Sequence, residues 1–209
     1  MAKIAFLFPG QGSQSVGMGK ELATKYKSVK KYFDHADETL NFHLSDIIFH
    51  GPADKLKRTE NTQPALLVTS IAVLHLLTEQ GIEADYVAGH SLGEYSALVS
   101  AKALSFTDAV LTVRRRGLYM EEAVPSGVGA MAAVLGMDRE ALRKVTDEVT
   151  AGGELVQLAN LNCPGQIAIS GTAQGVEKAG KLAKENGARR VIPLEVSGPF
   201  HSSLMKPAA

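Results

Sequence analysis

The sequence holds a single cysteine, Cys163, so no disulfide can form within the chain, which fits a reducing compartment. It has no excess of charge: Lys+Arg and Asp+Glu both number 22. No global field draws it to nucleic acid or an anionic membrane, and a charged partner has to be met by a local patch. Long hydrophobic runs are missing too. No stretch nears the ~18 residues of a membrane span, and MAKIAFLFPGQ is cut by Pro9 and Gly10 before it reaches signal-peptide length. Repeats and low-complexity segments are likewise missing. Together these features lead us to expect a soluble, cytoplasmic globular protein. The 45% hydrophobic and 21% charged content suffices for the core of one domain or two.

The elements alternate between strand-like and helix-like patterns. KIAFLF at 3–8 reads as a buried parallel strand ending at a glycine-rich loop. A charged helix follows over about 20–40. The apolar stretch 64–80 is the strongest helix, opened by Pro64, closed by Gly81 and buried on several sides. DYVAG at 85–89 is a short strand, 92–104 a helix, and a further helix starts near Phe106 with Ser105 and Asp108 as a capping pair. After Pro125, Ser126 and Gly127 the order becomes strand (129–136), helix (139–149), strand (155–161), strand (166–171), helix (175–185), strand (189–196). That β-α-β-β-α-β order is the ferredoxin-like split unit. One continuous α/β sheet is the alternative.

GHSLG at 89–93 matches G-x-S-x-G, a pattern common enough by chance that its context must decide. Here it lies between a predicted strand and a predicted helix, where a nucleophile elbow exposes the serine hydroxyl. Ser91 then needs an imidazole to take its proton and donors for the oxyanion. Of six histidines, His35 and His43 read as solvent-facing, His50 as a loop residue and His75 as a core residue. His90 neighbours the serine on a tight turn and reads as structural. His201, in VSGPFHSSL, is the remaining candidate, although no carboxylate stands out to orient its ring.

Four stretches in order, FPGQGSQ (8–14), GHSLGEYSALV (89–99), RRG (115–117) and GPFHSSLM (198–205), resemble malonyl-CoA:acyl-carrier-protein transacylase, an acyltransferase family. TQPAL (62–66) and NCPGQIAISG (162–171) extend the resemblance over essentially the whole chain. It implies Ser91 as the acylated nucleophile and His201 as its base. It also implies the Gln11 and Leu92 backbone N–H groups as the oxyanion hole, the latter at a helix N-terminus. Arg116, the arginine just before glycine, would bind the malonyl carboxylate bidentately; Arg114 and Arg115 read as a solvated face. Gln63 positions the arginine or the acyl group, or else caps a helix. Phe200 fits the malonyl-type pattern. Asn160, Asn162 and Gln166 line the cleft or serve as turn residues, and Cys163 reads as a small turn residue.

The implied fold is α/β. A hydrolase-like large domain with a parallel sheet (1–126 and 198–209) carries an inserted ferredoxin-like small domain (127–197). The implied reaction moves malonyl from malonyl-CoA to the phosphopantetheine thiol of acyl carrier protein in fatty acid biosynthesis. It needs no cofactor or metal, and a monomer without nucleic-acid or membrane partners is expected. Lys178, Lys181, Lys184, Arg189 and Arg190 form a candidate basic face for an acidic carrier. Chains of this family continue beyond the GPFH motif, so a missing C-terminal part is expected. Two rival functions share these features: a serine esterase or thioesterase, and a non-catalytic acyl-carrier-binding module.

Overall fold

The computed structural model describes residues 3–125, 127–194, 196 and 198–209. The chain is α/β and divides into two compact units, one running to Leu118 and one from Tyr119 to Ala209. That division falls eight residues before the expected boundary and places 198–209 with the second unit. The expected boundary residues Ser126 and Ser197 lie outside the described residues, as does Glu195 of the last predicted strand.

In the first unit, strands β1 (Ala5–Phe8) and β2 (Tyr86–Gly89) pair in parallel. Its core is otherwise helical. The predicted helix over 20–40 is two, α1 (Lys20–Lys25) and α2 (Lys27–Leu40). They break at Tyr26, whose backbone is extended; its N–H closes α1 on the Leu22 carbonyl and its own carbonyl opens α2 by accepting from Lys30. Val29, Phe33 and Ala36 recur along one face of α2 and are buried, as an amphipathic helix requires. Two short helices escape the periodicity, α3 (Leu44–His50) and α4 (Ala53–Lys57). His50 therefore closes a helix instead of lying in a loop.

The long helix α5 (Thr59–Glu79) starts five residues before Pro64, which lies inside it. Its N-terminal half is buried through Ala72, whereas its C-terminal half is largely accessible. His75 sits in that second half and is no core residue: its Nε2 lies 3.2 Å from the Glu79 carboxylate and its ring packs beside Tyr32. Helix α6 (Gly93–Ser100) follows β2, and α7 (Phe106–Ala123) follows in turn. Ser105 and Asp108 cap α7 as expected, with the Asp108 N–H on Ser105 Oγ at 3.1 Å and the hydroxyl on the carboxylate at 2.6 Å.

The second unit holds β3 (Gly129–Leu135), α8 (Arg139–Ala151), β4 (Val156–Cys163), β5 (Gln166–Thr172), α9 (Ala173–Glu185) and β6 (Arg190–Pro193). This is the expected β-α-β-β-α-β order. The sheet is antiparallel in the spatial order β4-β5-β3-β6. Asp138 and Thr172 cap the two helices, each accepting a backbone N–H three residues on at 2.9 Å. Ile167 and Ile169 of β5 bury one sheet face with Leu142 and Val145 of α8 and Val176 and Ala179 of α9. Ala168, on the opposite face by strand alternation, packs with Met131, Met120 and Phe200.

Candidate active site

Phe8 and Gly89 stand opposite each other at the ends of β1 and β2, so the loops PGQG and HSLG leave the sheet side by side. The His90 N–H donates to the Phe8 carbonyl at 3.0 Å. The chain then turns sharply: the Gly93 N–H donates to the His90 carbonyl at 2.9 Å, and the Glu94 N–H donates to the Ser91 carbonyl at 3.1 Å. Ser91 takes φ 52°, a left-handed conformation uncommon for a residue with a side chain and characteristic of functional turns. Both glycines of the motif are needed for space. A Cβ on Gly89 would meet the Gly93 carbonyl carbon at 1.9 Å, and one on Gly93 would meet the Phe8 oxygen at 2.2 Å. The strand-turn-helix elbow expected from the sequence is therefore present.

Leu92, at the start of α6, is buried in the helical core. Its side chain pins the turn at the end of α6 where backbone N–H groups favour developing negative charge. Gln11 is half-buried in the loop after β1, and its Nε2 donates to Thr59 Oγ1 at 3.2 Å. The loop is also shaped by its own side chains, with the Ser13 hydroxyl donating to the Gly10 carbonyl and the Gly12 N–H to Gln14 Oε1, both at 2.8 Å.

Arg116 comes to Ser91. Its Nη2 lies 3.4 Å from the serine Oγ, and its guanidinium carbon 5.8 Å from the centre of the Tyr95 ring. Burial holds its pKa below the usual arginine value, while Tyr95 and Glu94 act in the opposite direction. A guanidinium remains charged at neutral pH even so. Arg115 is exposed as expected. Arg114 is not part of a solvated face: its Nη1 donates to the Glu60 carbonyl and to Asn61 Oδ1, both at 2.7 Å, and it stacks 4.9 Å over Phe42. The close approach behind this is made at Gly117, where a Cβ would stand 2.6 Å from Glu60 Cα.

Gln63 is 1% exposed within α5. It is a helix-interior residue, so the capping alternative fails. Thus Ser91, Leu92, Arg116, Gln11 and Gln63 all belong to the first unit.

His201 belongs to the second unit. It is exposed and takes φ 58°, so two of the four positive-φ non-glycine residues among those described are Ser91 and His201. The residues around it are fixed. Gly198, Pro199 and Phe200 are buried, Ser202 Oγ donates to the Pro199 carbonyl at 2.7 Å, and the Ser203 N–H donates to Gln157 Oε1 at 2.7 Å. Phe200 is occupied in packing against Met120, Met131 and Ala168.

Asn160 and Asn162 lie on β4 beside two irregularities of the β4–β5 ladder, and Gln166 opens β5 opposite Cys163, the last residue of β4. In the candidate basic face, Lys178 lies 3.6 Å from Glu154 and Lys181 2.7 Å from Glu177, so two of its charges are locally paired. No group of three or more His, Cys, Asp or Glu among the described residues is arranged to hold a metal ion. No helix among them is long and apolar enough to cross a membrane. Sequence reasoning missed Thr59, Arg114 and Tyr95. Tyr95 was the most accessible of these, lying one helical turn after Ser91.

Residues 5–209 match the acyl transferase domain family. Over the full chain, the malonyl CoA-acyl carrier protein transacylase of Bacillus subtilis (strain 168) is 70% identical and that of Escherichia coli (strain K12) 48%. The chain spans 66% and 68% of the lengths of these relatives. A solved malonyl-transacylase, in complex with a type II PKS acyl-carrier protein, aligns with a TM-score of 0.95 at 45% identity over 99% of this chain and 67% of its own. With the elbow at Ser91 and the guanidinium beside it, these matches show that the chain belongs to the malonyl CoA-acyl carrier protein transacylase family of acyl transferase domains.

Proposed function

We propose that this chain carries the chemistry of malonyl transfer from malonyl-CoA to the phosphopantetheine thiol of acyl carrier protein, in fatty acid biosynthesis in the cytoplasm. The observation that carries the reading is the Arg116 guanidinium 3.4 Å from the Ser91 hydroxyl. An esterase for neutral acyl groups has no use for a half-buried cation beside its nucleophile, whereas a malonyl thioester brings a free carboxylate for it to bind.

Neutral His201 accepts the Ser91 proton as Oγ attacks the thioester carbon. The Gln11 and Leu92 N–H groups hold the oxyanion. Collapse breaks the carbon–sulfur bond, and the CoA sulfur leaves as a thiol with the proton from His201. The carrier thiol then gives its proton to His201, attacks the malonyl-serine ester, and the serine oxygen recovers the proton. No metal or redox cofactor enters this sequence. Gln63, buried within α5, positions the arginine or the acyl group. The strand order β4-β5-β3-β6 supports reading 127–197 as a ferredoxin-like part, with the hydrolase-like part supplied by the first unit. The protein acts as a monomer without nucleic-acid or membrane partners.

Incubation with malonyl-CoA, acid quench, intact mass and peptide mapping test this. A malonyl adduct on Ser91 that is lost in Ser91→Ala is expected. An adduct that persists in Ser91→Ala would contradict the assignment.

A further inference from the structure

Pro64 sits at the sixth residue of α5, where every other residue type would donate its backbone N–H to the carbonyl four residues earlier. That carbonyl is Glu60, and proline leaves it without its helical donor. A buried carbonyl in this state destabilises a helix unless another donor reaches it. Here the donor is Arg114: its Nη1 lies 2.7 Å from the Glu60 oxygen, and the same nitrogen reaches Asn61 Oδ1 at 2.7 Å. Phe42 lies under the guanidinium, and Gly117, one turn further along α7, rests against Thr59 and Glu60 with no room for a side chain.

We infer that Arg114 is a positioning residue: by taking the carbonyl that Pro64 frees, it fixes α7 on the first turn of α5 so that Arg116 is held at Ser91. Two residues apart on a helix lie about 200° apart around its axis. When Arg114 faces α5, Arg116 is turned to the opposite side, where Ser91 and Tyr95 meet it. The same turn of α5 carries Thr59, which accepts from the Gln11 side chain. One helix start thus ties together the carboxylate-reading arginine and the loop of the oxyanion hole. The role in selecting acidic acyl groups rests on the malonyl-transfer reading; the anchoring of α7 does not.

The test is a double-mutant cycle with Arg114→Met, which keeps the stem over Phe42, and Pro64→Ala, which restores the N–H at position 64. Unfolding midpoints and the ratio of malonyl to acetyl loading on Ser91 are measured for the wild type, both single variants and the double variant. Arg114→Met is expected to lower the midpoint by several degrees and the loading ratio roughly tenfold, through misplacement of Arg116. In the Pro64→Ala background the same change is expected to lose less than half as much, because the restored backbone N–H then satisfies the Glu60 carbonyl. Equal losses in the two backgrounds, or an unchanged loading ratio in Arg114→Met, overturn the inference. The unfolding cycle is read on all four proteins whether or not they load malonate. A wild type that never loads therefore removes the functional reading and leaves the anchoring of α7 to be decided by the cycle.

Discussion

The second unit buries its sheet with its own neighbours in sequence, while the first leaves its strand pair partly bare. In the second unit Ile167 and Ile169 meet α8 and α9 on one face, and Met131 and Ala168 meet Phe200 and Met120 on the other. In the first, Leu7 is 78% and Tyr86 63% exposed. A groove of about 400 Å³ beside β1 and α5 is lined by Phe6, Phe8, Leu66, Val73 and Leu77 among others. A parallel pair usually has both faces covered. The first unit instead draws its core from helices α2, α3, α5 and α7, and its strand ends are joined by the His90 N–H on the Phe8 carbonyl, with Phe8 and Leu92 buried beside the turn. The proposed nucleophile rides on those strand ends. Substitutions in the elbow should therefore act on chemistry, and substitutions in the second unit's core on stability.

The largest effect is expected from Gly89→Ala. Its methyl group has no space beside Gly93, so the elbow cannot close as it is, and malonyl loading on Ser91 should fall at least about a hundredfold. Hydrogen exchange in β3 to β6 should stay near the wild-type pattern; loading at the wild-type rate would break the distinction between the units. Ile169→Ala reverses the outcome. Removing this fully buried side chain should cost about 2–5 kcal/mol and lower the unfolding midpoint, while loading below the transition changes little.

Asp85→Asn should have the smallest effect. Asp85 joins the starts of β1 and β2 by accepting from Lys3 Nζ at 2.8 Å and the Ile4 N–H at 2.9 Å. The Lys3 hydrogen bond, then that of Ile4, holds its carboxyl below the usual carboxylate value. Because the folded-state pKa is the lower one, the contribution is present above the unfolded value near 4 and is lost as pH falls through the folded value. The difference in urea midpoint between Asp85→Asn and the wild type should therefore be small at pH 7 and close as the solution is acidified.

The contrast between units also explains what was legible in the sequence. The second unit could be followed strand by strand because its strands are short, largely apolar runs separated by charged helical stretches, so each element is announced by its own residues. In the first unit Pro64 read as the opening of a helix, since proline favours the first turn. The helix in fact begins at Thr59, and Arg114 supplies the Glu60 carbonyl with the donor that proline lacks. That contact joins segments far apart in the chain, and no local pattern announces it. For the same reason Arg114 read as a surface cation. Helices α3 and α4 have seven and five residues, too few for a periodic signal. Ser91 and Arg116 were legible from their motifs, but the distance between them was not.

The most direct measurement compares malonyl with acetyl loading on Ser91 in the wild type and in Arg116→Ala, by acid quench and intact mass. If the guanidinium beside Ser91 reads the carboxylate, the wild type favours malonyl, and the malonyl-to-acetyl ratio falls by about a hundredfold or more in the variant. An unchanged ratio would mean that Arg116 lies beside Ser91 without selecting the acyl group, and would contradict the account.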